Sequence, residues 1–184
     1  MNNHWTLGLL SVALLNWPVA AQALTLQIDA NGILTGASDV DVSDTLYDVR
    51  FLDGSCISLF TGCDESTDFA FTTAAEAMIA AQALLDQVFT DTPLGQFDSD
   101  VDQTNGCTNS GLGFCGVYSP FAFAPFGVEV ADLENFILGD FDHIGELTIG
   151  PDDDLTPNPA FTFAVWSLAS APEPGTLEIG RAHV

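Results

Sequence analysis

At 184 residues the chain has room for one ordinary domain with a real core. Hydrophobic residues make up 47% and charged ones 15%, which excludes a disordered acidic tail. Its 26 acidic residues against 2 basic ones leave a net charge of −24, a surface that repels phosphate backbones and anionic headgroups and so excludes nucleic acid as a partner.

The opening stretch, MNNHWTLGLLSVALLNWPVAAQALTL, starts polar, runs apolar over 7–15 and closes on Ala21 and Ala23 around Gln22. The apolar run is too short to span a bilayer, and small-x-small is a cleavage pattern. Residues 1–23 are therefore predicted to be a signal peptide, although no Lys or Arg precedes the apolar run. Residues 24–168 then form a single predicted globular domain, in which Arg50 is the one base.

In that domain LTLQI alternates as a strand and DANG reads as a turn. After GASDVDVSD, the run TLYDVRF places Tyr47, Val49 and Phe51 on one face of a second strand, with Leu46, Asp48 and Arg50 on the other. Four cysteines follow, Cys56, Cys63, Cys107 and Cys115, an even number suited to an oxidising compartment. Three pairings are open. Each close pair brackets turn-forming residues, which favours Cys56–Cys63 and Cys107–Cys115, and neither has the CxxC spacing of zinc or redox sites.

TTAAEAMIAAQALLDQVF is the clearest helix, opened by Thr73 and Glu76 as a capping box and stopped near Pro93. Its predicted inward stripe is Met78, Ala81, Gln82, Leu85, Val88 and Phe89. The second half is rich in Phe and Gly and reads as strands interrupted at Pro120 and Pro125, with further strands in NFILGDFDHIGELTIG and AFTFAVWSL. The expected fold is α+β, an antiparallel sheet with one long amphipathic helix packed across it and disulfide-stapled loops.

The best metal candidate is DSDVDQTNG, where Asp98, Asp100 and Asp102 alternate. An EF-hand would need Gly at Gln103 and Glu at Asn109, so only a looser calcium site competes with a solvated acidic turn. PDDDL, with Asp152, Asp153 and Asp154, reads as a solvated loop. Apart from the signal and the last residues, His143 is the one histidine, no Gly-x-Ser-x-Gly elbow exists, and the chain has no Lys for a phosphate loop. Glu129, Glu134 and Glu146 offer carboxylates for glycoside hydrolysis. No catalytic constellation emerges from these residues.

Near the C-terminus, APEPGTL contributes Pro172, Glu173, Pro174, Gly175, Thr176 and Leu177. This motif resembles the sorting signal of PEP-CTERM proteins, although Ala171 stands where family members often have Val. The resemblance implies export, sorting to the cell surface or extracellular matrix, processing by an exosortase-type protease, and association with exopolysaccharide. Residues 169–177 are thus the expected linker and sorting motif. In the family an apolar span and a basic cluster follow, and this chain has neither in 178–184, so a membrane enters only through a missing anchor. Residues 179–184 match one reading frame of a common short-read sequencing adapter, and 178–184 is predicted to be a non-native tail. GILTGASDVDVSDTLYDVRFLDGSC also resembles a recurrent domain of such proteins.

The expected function is a non-catalytic, exported surface or matrix protein, in which Tyr47, Tyr118 or Trp166 either stack on sugars or belong to the core. The alternatives are a secreted glycan hydrolase and a calcium-dependent binding module.

Overall fold

The computed structural model describes residues 23–108 and 111–170. Strands β1 (Thr25–Ile28), β2 (Leu34–Val42) and β3 (Thr45–Leu52) form a meander. Asp29 builds the first turn, its Oδ1 accepting from the N–H groups of Asn31 and Ile33. The second is a two-residue turn in which Ser43 and Asp44 both have positive φ, as the twist of a tight hairpin requires. A one-turn helix α1 (Cys56–Leu59) and the long helix α2 (Ala74–Gln87) follow, then a short hairpin of β4 (Asp91–Thr92) and β5 (Gly95–Gln96). The second meander is β6 (Phe114–Ala124), β7 (Gly127–Phe136) and β8 (His143–Ile149), and the last strand is β9 (Phe161–Leu168).

These elements make the expected α+β fold, with seven strands in the order β1-β2-β3-β9-β6-β7-β8. The sheet is antiparallel except at one seam, because β9 is inserted between the two meanders. It runs antiparallel to β3 and parallel to β6. Since β3 and β6 run in opposite directions, any strand joining them must be parallel to one. Pro120 does not interrupt β6. Its missing N–H falls at a bulge between Pro120 and Ala122, past the point where β9 has parted from β6, so no ladder bond is lost. Pro125 lies in the β6–β7 turn instead.

Helix α2 packs on one face of the sheet, touching β2 on one side and β6, β7 and β8 on the other. Thr73 caps it, with Oγ1 accepting from the Glu76 N–H, while the Glu76 carboxylate accepts from the Thr72 N–H and the Thr73 hydroxyl. Of the predicted stripe, Ala81, Val88 and Phe89 are buried, Met78 and Leu85 are half-buried, and Gln82 is exposed; Ala77, Ala80, Ala83 and Leu84 complete the inward face. Alanines let the helix approach the curved sheet, and Phe51, Phe71, Phe97, Phe121 and Trp166 fill the rest of this inner core. Trp166 Nε1 donates to Ser119 Oγ at 3.0 Å, so its polar edge is satisfied.

The opposite, outer face carries a second core, built from Phe69, Tyr118, Val128, Val130, Leu155 and Phe163. Both disulfides pair as favoured, Cys56–Cys63 within the outer core and Cys107–Cys115 within the inner one. Among the described residues no helix is long and apolar enough to cross a membrane. Ala23 is exposed at the start of the described chain, whereas Ala21, the sorting motif Pro172, Glu173, Pro174, Gly175, Thr176 and Leu177, and 178–184 lie outside the described residues.

Candidate functional site

The outer face is only partly covered. The α1 loop and the segment before β9 close over its lower half, tied by Ile57 N–H to the Pro151 carbonyl and Leu155 N–H to the Gly54 carbonyl. Beyond that cover, strand pairing sets side chains in rows. One row runs Phe161, Gly116, Glu134, His143 across β9, β6, β7 and β8. The next runs Phe163, Tyr118, Asp132, Gly145, and on the far side Phe114 stands opposite Phe136. Neighbouring strands lie about 4.8 Å apart, so each row is a line of side chains in contact range.

Two glycines shape these rows. A side chain at Gly116 would collide with the Phe161 ring, which is free to lie over the β6 backbone only because none is there. At Gly145 an added Cβ would stand 3.2 Å from His143 Nε2, so the imidazole leans along β8 toward the position opposite Asp132. The rings form a continuous ladder. Phe136 meets Phe114 at 5.4 Å between centroids, Phe114 meets Phe161 at 5.7 Å, and Phe161 meets Tyr118 at 5.3 Å. Phe114, Phe136 and Phe161 are half-buried, Glu134 is half-buried and His143 is exposed. This end of the face is half-buried, with His143 at its exposed rim.

Its electrostatics are unusual for an acidic surface. Burial, reinforced by Glu134 and partly offset by His143, raises the Asp132 carboxyl to about 6. One Asp132 oxygen is buried without a hydrogen-bond partner. Burial, with Asp132 and Glu134 adding to it, also pushes the Tyr118 phenol up. The sequence signal for this pair was Asp132 and Glu134 on alternate positions of a strand, which puts them on one face.

The other predicted residues are dispersed. Asp98 opens onto a hollow of about 550 Å³ between the end of α2 and the β7–β8 loop, with Asp86, Asp91 and Asp142. Burial and then Asp91 raise Asp98, and burial, opposed by the Phe136 N–H and helped by Asp98, raises Asp142. Asp91 is held low by the Ser99 hydroxyl and N–H. Asp100 and Asp102 line a separate hollow of about 260 Å³ with Gly111, Gly113 and Ile137. The three alternate aspartates therefore do not converge, and among the described residues no group of three or more His, Cys, Asp or Glu is disposed to hold a metal ion. Glu129 and Glu146 share a hollow of about 250 Å³ on the inner face, while Glu134 is on the outer one. Of the proposed stacking aromatics, Trp166 and Tyr118 are buried, and Tyr47 is half-buried against Phe71 at 5.1 Å.

Comparison with protein-family models, with curated proteins and with solved structures finds no match to this chain.

Proposed function

We propose that this chain is an exported, non-catalytic cell-surface or extracellular-matrix protein that associates with exopolysaccharide through the open end of its outer sheet face. The observation that carries the reading is the ring ladder Phe136, Phe114, Phe161 beside Glu134 and His143. A pyranose presents an apolar face that stacks on such rings, and its hydroxyls pair with a carboxylate and an imidazole at the rim. Two buried disulfides suit an oxidising compartment, as does the signal-like segment 1–23. The motif around Pro172, Glu173 and Pro174 supports sorting by an exosortase-type protease.

Affinity electrophoresis of the full chain in gels containing the source exopolysaccharide tests the binding. Retardation should be strong for the native chain and weak for the Phe114→Ala/Phe136→Ala variant, with Phe136→Tyr retaining it. Equal mobility of all three with and without polysaccharide would refute the reading. The hydrolase alternative has Glu129 and Glu146 in one hollow in its favour. Glycan release that is unchanged in Glu129→Gln and Glu146→Gln variants removes it.

A further inference from the structure

We infer that the glycan preferred by this face carries free amino groups, and that Glu134 receives them. The inference rests on the polysaccharide reading and narrows it to a cationic sugar. Glu134 stands on β7 between Gly116, which offers no side chain, and His143. The Phe161 ring lies over Gly116, one strand spacing from Glu134, about the width of one sugar ring. A pyranose stacked on Phe161 therefore brings a ring substituent to the Glu134 carboxylate. Glu134 is half-buried, and beside it one oxygen of Asp132 is buried without a hydrogen-bond partner. An ammonium suits this pair of acids, because it donates three hydrogen bonds and carries the opposite charge.

The charge of the whole chain selects in the same direction. A uronate or sulfated polymer approaching a body of net charge −24 is repelled, whereas a polyamine sugar is drawn in. General attraction alone would not discriminate among the acids, and the geometry does. Phe161 and Glu134 share a row of the outer face, while Glu146 lies on the other face of the sheet.

The test is calorimetric titration of the full chain with four hexamers, of glucosamine, N-acetylglucosamine, glucose and mannuronate. The glucosamine hexamer should bind about tenfold more tightly than the N-acetylated and glucose hexamers, and mannuronate should bind least. Glu134→Gln, nearly isosteric, should abolish the preference for glucosamine, so that the glucosamine and glucose hexamers bind equally, and Glu146→Gln should preserve the preference. Equal binding of the glucosamine and N-acetylglucosamine hexamers overturns the inference but leaves the polysaccharide reading standing. Equal losses in the two Gln variants overturn it too, because they mark general charge attraction. Binding of none of the hexamers, together with unretarded migration in exopolysaccharide gels, overturns the polysaccharide reading itself.

Discussion

Gly145 stands opposite Asp132 on the neighbouring strand, and the imidazole of His143 leans over the position its side chain would occupy. Asp132 is thereby enclosed by Tyr118 on β6, Glu134 on its own strand and His143 on β8, with one oxygen buried and unpaired. Burial raises this carboxyl from 3.8 to about 6, Glu134 adds to the rise and His143 opposes it.

The consequence is a stability that falls as pH rises. Below about pH 4 Asp132 is protonated in both folded and unfolded chains; between about 4 and 6 only the folded chain holds the proton, and this contribution is lost above about 6. Asp132→Asn, neutral at every pH, should melt higher than the native chain at pH 8 and match it at pH 4. Asp132 is partly open to solvent, so the gain at pH 8 is on the order of 1 kcal/mol. Thermal unfolding of both chains at the two pH values measures it. An equal gain at pH 4 and pH 8 would show that another group titrates.

The alanine face of α2 makes a second prediction. Ala81 is fully buried in the inner core, and Ala81→Leu forces extra methylenes between helix and sheet. Overpacking of this kind costs about 1–3 kcal/mol. Gln82→Leu, one residue along on the exposed side, should change stability by less than about 0.5 kcal/mol. Urea denaturation of the two variants distinguishes them, and equal costs would mean that the helix faces the sheet differently.

That face also shows why parts of the sequence were legible and others were not. Thr73 and Glu76 signalled the start of α2 because capping is local chemistry, and β3 was readable because Tyr47, Val49 and Phe51 alternate without a break. The helical spacing finds Ala81, Val88 and Phe89 of the buried stripe but not Ala77, Ala80 and Ala83, because a close helix–sheet approach selects small residues that carry little hydrophobic signal. Strand β2 escaped notice for another reason. Its inward residues Leu34, Ala37, Val40 and Val42 lose their period of two at a bulge, where Asp39 takes positive φ. The place of β9 between β3 and β6 left no local trace at all. The outer-face row depends on it, since Phe161 meets Gly116 only across that seam.

Each disulfide closes a short loop, with 7 and 8 residues of sequence separation, and all four sulfurs are buried. Loop-closure entropy assigns such a bridge about 2–3 kcal/mol. The Cys56→Ala/Cys63→Ala variant should lose that much and loosen the outer core, where Phe60 packs on Phe69 and Phe163. The inner-core pair Cys107 and Cys115 should give a loss of similar size that is additive with the first, because the two bridges lie on opposite faces. Denaturation of the two double variants and the quadruple variant checks both the size and the additivity.

Charge makes the last prediction. With 26 acids and 2 bases, like charges across the whole surface oppose the compact state, and unfolding relieves that repulsion by separating them. At about 10 mM salt the screening length is near 30 Å, longer than most spacings within a domain of this size, so the repulsion acts at nearly full strength. At about 0.5 M it is only a few Å and the repulsion is mostly removed. The melting temperature should therefore rise steadily with NaCl, by more than for a chain of balanced charge. Calcium chloride at matched ionic strength then separates screening from site binding, since an ion held only by the folded chain adds stability that grows with its concentration. Because Asp98 faces one hollow and Asp100 and Asp102 another, calcium should raise the melting temperature no further than matched NaCl. An extra rise abolished by Asp98→Asn would instead place a calcium ion among Asp91, Asp98 and Asp142, and an extra rise abolished by Asp100→Asn would place it in the second hollow.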